Sequence, residues 1–385
     1  MSSPRIRQAF YRITRNLCDN KTISFNAVRK LSFFDRSKTS DWKQAVSEAE
    51  KIVGYPTSFM SLRCLLSDEL ANVAIQLRKL VGTKHPILKT AKGFLDNGKH
   101  SLQTRGLIVL LIAKAAGARE DSFDKHEMVS GIYPDQRKLA EITEMIHTAN
   151  LVHKGVVNLD NLQETNGSLN DMEFGNKIAV LSGDFLLTSA STGLAELNNT
   201  YVVEMISQSI ADMMTAEFTP LRDLHGNAIL KKTAAFTDWE RQTFLQAGSL
   251  LSNSCKAALE LVGHEDELKQ AAADFGKNLA YARQMHEDLL PFISPTVDIN
   301  GIISSSPVIK HTEIYNNEED VSSMSIDELI STIQNDTETL DWCIWKCAEY
   351  GQNAVDNLKL FESSDAKNAL NRIVQATTNF KQTKS

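Results

Sequence analysis

The chain has few of the residues that break regular structure: 18 Gly and 8 Pro among 385 residues, well below the average usage of roughly 12%. That excludes collagen-like and low-complexity chains. The five cysteines, Cys18, Cys64, Cys255, Cys343 and Cys347, show no CxxC and no finger-like Cys/His spacing. An odd count suits a reducing compartment better than a disulfide framework. Cys343 and Cys347 lie one helical turn apart and read as packing thiols. No uninterrupted apolar run exceeds that of residues 107–113, which ends at Lys114. Crossing a bilayer takes about 20 residues, so no transmembrane segment is expected. GxGxxG, the Walker loop, HExxH and GxSxG are all missing, and with them any starting point for nucleotide, zinc-peptidase or serine-hydrolase chemistry.

Acidic side chains are scarce only at the start. Residues 1–40 carry nine Lys/Arg against Asp19 and Asp35, a charge of +7, which leaves −14 on residues 41–385. A body that acidic lacks the basic surface that phosphate backbones require, so no nucleic-acid partner is expected. The opening segment is rich in Arg and Ser/Thr, with Ile6, Phe10, Tyr11, Ile13 and Leu17 between the charges. It reads as a mitochondrial transit peptide, disordered and cleaved somewhere near residues 20–40, with a plain basic tail as the alternative.

What the chain does contain is helical periodicity. Apolar residues recur at spacings of three and four, and two-residue alternation is almost absent, which predicts an all-α fold. Leu139, Ile142, Ile146 and Ala149 form one buried stripe that Val152 and Val156 extend, with Asp135 behind Pro134 as the cap. Further helices are expected over 70–81, 106–116, 178–194, 201–214, 237–261, 267–290, 326–361 and 365–380. Long breaks fall at 218–236 and at 291–321, where Ser304, Ser305, Ser306 and Pro307 cluster; breaks of that length are usually lids or insertions. Without a fixed-period repeat or a splitting linker, residues 41–385 read as a single large helical domain.

Three stretches carry a family resemblance. Ala140-Glu141-Ile142-Thr143-Glu144-Met145-Ile146-His147-Thr148-Ala149-Asn150-Leu151-Val152-His153 resembles the helix before the first aspartate-rich motif of trans-prenyl diphosphate synthases. Phe174-Gly175-Asn176-Lys177-Ile178-Ala179-Val180-Leu181-Ser182-Gly183-Asp184-Phe185-Leu186-Leu187 is similar to the helix after it, and Phe275-Gly276-Lys277-Asn278-Leu279, continuing to Gln284, Glu287 and Asp288, is similar to the second aspartate-rich helix. The segments 46–57 and 128–133 resemble the branch of accessory subunits in heteromeric decaprenyl-type synthases. The resemblance implies an isoprenoid-synthase fold and elongation of farnesyl or geranylgeranyl diphosphate by isopentenyl diphosphate, to make the ubiquinone side chain.

The departures bear on that chemistry directly. In such enzymes Mg²⁺ neutralises a departing diphosphate, and carboxylates at i, i+1 and i+4 of a helix gather the metal. At the first motif this chain offers Lys154, Gly155 and Asn158, with no carboxylate and an added ammonium. The second motif keeps Glu287 and Asp288, but Pro291 stands at its last position. Of the basic segment that grips isopentenyl diphosphate, Gln103 and Arg105 mark where cations belong and only Arg105 is one; Gly98-Lys99-His100 is a candidate displaced version. Gln246 stands where a lysine contact is expected. The resemblance therefore implies no catalytic residue and no metal in this chain, with Mg²⁺ held by a catalytic polyprenyl diphosphate synthase subunit in a heterodimer or heterotetramer in the mitochondrial matrix. The subunit interface is expected along 176–194 and 201–214, with Val180, Leu181, Phe185 and Leu187 facing the partner. Lys154 is a candidate counter-ion for Glu287 and Asp288.

Other readings rank below. Glu144-x-x-His147 has the spacing of a di-iron bundle, but a second ExxH is missing, which leaves His147 as a packing residue. Asp184 reads as a buried acid satisfied by backbone or by Lys177. An autonomous prenyl transferase or lyase using Glu287 and Asp288, and a helical scaffold outside prenyl synthesis, remain open as alternatives.

Overall fold

Helix α2 (Thr104–Ala116) is apolar on every side from Leu107 to Ala113, and every residue of that run is at most 3% exposed. A helix without a polar face has to lie at the centre of a bundle. The computed structural model describes residues 38–54, 85–86, 104–118, 128–159, 168–219, 221–223, 228–230, 234–293, 301–315 and 324–380. Among the described residues every extended element is helical, apart from the isolated bridges Val129–Ile132 and Arg222–Ala228. The expected helix at 70–81, the Gly98-Lys99-His100 cluster and Gln103 lie outside the described residues, as do residues 1–37 of the transit-like segment.

In chain order the other helices are α1 (Lys38–Val53), α3 (Pro134–His153), α4 (Leu169–Glu196), α5 (Thr200–Thr215), α6 (Phe236–Thr243), α7 (Ser249–Glu260), α8 (Asp266–Ile293), α9 (Ser306–Tyr315), α10 (Ile326–Asn335), α11 (Thr337–Asn357) and α12 (Asp365–Thr378). Helix α1 begins inside the segment expected to be cleaved. Helix α3 packs along α2 and α4, and α8 lies against α7 and α11. One core cluster gathers α2, α3, α7, the first half of α8 and α12, and a second gathers α6, the second half of α8 and α9–α11. Helix α8 thus belongs to both, and its middle turns face the space between α2 and α3. Gly276 permits the approach of α7, since a Cβ there would lie 2.8 Å from the Leu251 carbonyl oxygen.

Several boundaries differ from the periodic reading, each for a local reason. Helix α3 stops at His153, so Val156 is 43% exposed and does not extend the buried stripe. Its N-cap is Tyr133, with Pro134 at the first turn, rather than Asp135. The expected helix at 237–261 contains a five-residue π-helical turn, Phe244–Gly248, between α6 and α7. The run 326–361 is broken at Asp336, whose carboxylate accepts from Thr339 N at 3.0 Å and caps α11; a side chain that bonds its own backbone competes with helix continuation. The same Asp336 accepts from His311 Nδ1 at 2.6 Å. His311 belongs to α9, an element inside the stretch 291–321 expected to be a loop, where Pro307 falls in the first helical turn and is tolerated there.

Candidate functional site

The first turn of α2, the last two turns of α3, the middle of α8 and the π-helical turn converge on a cavity of about 260 Å³. Its wall includes Arg105 and Ile108, His147, Asn150 and Lys154, Gln246, and Arg283, Gln284 and Glu287, with Trp42 of α1 across the opening. Four positions flagged in the sequence, Arg105, Lys154, Gln246 and Glu287, are therefore brought together.

Arg105 Nη1 lies 2.8 Å from His147 Nε2. Guanidinium has no acceptor, so it donates, Nε2 accepts, and the imidazole is neutral with its proton on Nδ1. Burial first and the Arg105 charge second hold the His147 pKa well below the usual imidazole range. Burial also lowers Arg105 to about 10. Beneath them Glu144 accepts from Gly106 N at 2.7 Å through Oε1, while its buried Oε2 has no hydrogen-bond partner. Burial raises Glu144 to about 7. His147 is thus more than the packing residue its sequence context suggests.

Lys154 caps α3, its N–H donating to the Asn150 carbonyl at 3.0 Å. Its ammonium points at Glu217, Nζ to Oε1 at 3.6 Å, and burial, only partly offset by Glu217, lowers its pKa. The expected pairing of Lys154 with Glu287 or Asp288 is not formed. Glu287 accepts instead from Arg283 Nε at 3.1 Å, one turn back on α8. Arg283 also donates to Thr104 Oγ1 at 2.8 Å and stacks 5.0 Å from the Trp42 ring. Asp288 leaves the cavity. Its Oδ2 accepts from Trp239 Nε1 and from Ser306 N, both at 2.7 Å, and its Oδ1 from Gln284 Nε2 at 2.8 Å. Burial lifts its pKa to about 6 against those three donors. Gly155 is buried and Asn158 exposed, outside the cavity wall. Trp42, Arg283 and Glu217 were not singled out by sequence; only the i, i+4 spacing of Arg283 and Glu287 signals one of them.

Mg²⁺ does not fit this donor set. Hard cations need several oxygen anions, yet among the described residues the cavity wall carries one carboxylate, Glu287, already paired with Arg283, and places Lys154 and Arg105 beside it. Among the described residues no three His, Cys, Asp or Glu side chains converge on one point.

The helices that would carry a subunit contact are α4, packed along α3, and α5, packed along α7. Leu181 is 55% and Val180 43% exposed, and Phe185 and Leu187 are half-buried. Tyr201 and Met214 of α5, and Phe218 just beyond it, are exposed apolar residues as well. By length and composition α4 is apolar enough to cross a membrane, although 44% of that window is buried in this fold. Asp184 is exposed rather than buried, and lies 3.3 Å from His153 rather than against Lys177. Gly183 allows that approach, since a Cβ there would meet the His153 ring at 2.1 Å.

A bundle with this connectivity and cavity matches the polyprenyl synthetase family over residues 88–338. The chain belongs to that family. It is 47% identical over 360 residues, 88% of each chain, to the all-trans-polyprenyl-diphosphate synthase PDSS2 of Rattus norvegicus. It is 29% identical to a probable mitochondrial hexaprenyl pyrophosphate synthase of Yarrowia lipolytica, over 88% of this chain and 89% of that one. Identity to subunit 1 of the decaprenyl-diphosphate synthase of Schizosaccharomyces pombe is 28%, covering 83% and 91%. The solved decaprenyl diphosphate synthase of Rhodobacter capsulatus superposes with a TM-score of 0.61 at 17% identity, covering 89% of this chain and 98% of that one. The polyprenyl synthetase fold is therefore shared with these relatives.

The buried carboxyls make stability depend on pH. Glu144 rises from 4.5 to about 7 and Asp288 from 3.8 to about 6. A carboxyl whose folded pKa is raised stabilises the fold fully below its unfolded pKa, and that contribution is lost as pH rises through the folded pKa. The window runs from about pH 4 to 7. Glu144→Gln is expected to unfold later than the natural chain at pH 8, by up to about 3 kcal/mol for a displacement of this size, and equally at pH 4.5. Denaturant melts at both values check this; a constant difference at both would refute it.

Proposed function

We propose that the chain is the accessory, non-catalytic subunit of a heteromeric all-trans polyprenyl diphosphate synthase, working in mitochondria beside a motif-complete subunit that holds Mg²⁺ and makes the ubiquinone side chain. One observation carries the reading: among the described residues the cavity where diphosphate-bound metal would sit presents Lys154, Arg105 and Arg283 against one carboxylate, Glu287, while Asp288 is locked to Trp239 and Ser306. Electrostatics of that sign repels divalent cations. The exposed apolar surface of α4 and α5 supports a protein partner, because exposed apolar patches of this kind mark association surfaces. The transit-like opening segment and the mitochondrial designation of the Yarrowia relative support the location.

The test is an elongation assay with Mg²⁺, farnesyl diphosphate and isopentenyl diphosphate, run on the purified chain, on a motif-complete subunit, and on the mixture. Product is expected from the mixture at a rate at least tenfold above the catalytic subunit alone, and none from this chain. Product from this chain alone would assign it instead as an autonomous transferase.

A further inference from the structure

The sequence changes character where the described fold begins. Residues 1–37 hold eight Lys/Arg against Asp19 and Asp35, a charge of +6, whereas α1 sets three lysines against Asp41, Glu48 and Glu50. The acid-poor stretch stops where α1 starts. Helix α1 is also built into the core: Ala45, Val46, Ala49 and Val53, spaced as one helical face, are each at most 7% exposed and join the cluster that includes α2 and α12. Two polar ties fix it there. Glu48 pairs with Arg372 of α12, and Lys114, the one charged residue between Leu107 and Ala116, donates to the Ile52 carbonyl at 2.5 Å, one of the terminal carbonyls that lack a partner within a helix. Upstream of Ala45 the hold is different. Lys43 and Gln44 are exposed, and Trp42 lies against the guanidinium of Arg283, which Thr104 and Glu287 keep in place. An aromatic face attracts a cation set over it, so the first turns of α1 are fastened across the cavity opening.

We propose that proteolytic removal of the leader stops upstream of Lys38, and that α1 stays in the mature protein as a strap that Trp42 fastens to Arg283 over the mouth of the cavity. A cut inside α1 would strip α2 and α12 of their cover, and apolar surface bared in that way drives association. A cut at the very start of α1 is disfavoured as well, because it would set a new α-ammonium on the positive end of the helix dipole. Proteases act on opened chain, and a helix with a buried face offers itself only by local unfolding. A cut within 20–37 meets none of these costs and leaves α1 whole. The strap also sets how the cavity is uncovered: the turns upstream of Ala45 can fray at Trp42 while Ala45, Val46, Ala49 and Val53 keep the rest of α1 in the core. The inference rests on the mitochondrial part of the proposed function.

The experiment has two arms, both on the full chain. Imported into isolated mitochondria and recovered, the protein is expected to give an intact mass that begins between residues 20 and 38. A mass beginning beyond Lys38, or still at Met1, overturns the boundary, whereas a chain that stays outside the organelle refutes the location reading instead. The second arm needs no organelle. Timed trypsin digestion of the purified chain is expected to cut upstream of Lys38 while the bonds after the exposed Lys43 and Lys51 stay whole. Trp42→Ala is expected to speed cutting after Lys43 about fivefold, the added opening that loss of a cation–π contact of ordinary strength allows, with the bond after Lys51 still protected because the rest of α1 remains packed. Cutting after Lys43 as early as upstream in the natural chain, or an unchanged rate in the variant, overturns the strap. Equal release of both bonds in the variant overturns it too, since α1 would then be held as one unit and not fastened at its first turns.

Discussion

Leu181→Glu is expected to leave the isolated chain folded and to abolish its co-purification with the catalytic subunit. Leu181 is 55% exposed on α4, so the substitution costs the free chain at most about 0.5 kcal/mol. Buried in a subunit contact, an unpaired carboxylate costs several kcal/mol, and central interface positions carry most of the binding energy. Several kcal/mol correspond to a loss of affinity above about a hundredfold. Leu360, 53% exposed near the other end of the chain, supplies the control: Leu360→Glu is expected to retain the partner. Equal retention by both variants would place the contact elsewhere. Val180→Glu should behave like Leu181→Glu, and Phe185, half-buried, is the poorer probe because its loss also disturbs packing on α3.

Asp288→Ala is expected to destabilise the fold by about 3–5 kcal/mol, whereas Glu287→Ala next to it changes stability by no more than about 0.5 kcal/mol. Asp288 is the shared acceptor for Trp239 of α6, Ser306 of α9 and Gln284 of α8 itself. Removing it strands buried donors on two other elements, each costing about 1–3 kcal/mol. Glu287 is 50% exposed and pairs only along its own helix, a contact of the strength expected for surface ion pairs. Denaturant unfolding of the two variants separates the cases. Similar stabilities would mean that Asp288 is not the tie between these elements. If Asp288 were a metal ligand instead, its removal would relieve a buried charge and raise stability in the absence of Mg²⁺.

Much of the fold was legible because helical burial leaves a periodic mark. Leu139, Ile142, Ile146 and Ala149 read as one face and are one face, each at 0% exposure. The errors fall where local chemistry outweighed the pattern. At Asp336 a carboxylate bonded the backbone and broke an otherwise continuous helix. At Ser306 and Pro307 residues that usually signal a loop opened a helix instead, because proline is acceptable in the first turn. The π turn at Phe244–Gly248 left no sign in the periodicity.

The site divides along the same line. Residue type alone determined that positions 154, 155 and 158 cannot collect a divalent cation: Lys154 carries the wrong charge, and neither Gly155 nor Asn158 carries a charge at all. Tertiary structure decided which of two adjacent acids faces the cavity. Successive helical residues differ by about 100° in direction, so Glu287 and Asp288 have to point apart. Which one points inward depends on α6 and α9, whose donors lie 49 and 18 residues from Asp288 in sequence. Lys154 is the same case. Its charge was plain from the sequence, but its partner Glu217 was not, since sequence specifies the strength of an ion and only the packed chain specifies the distance over which that strength acts.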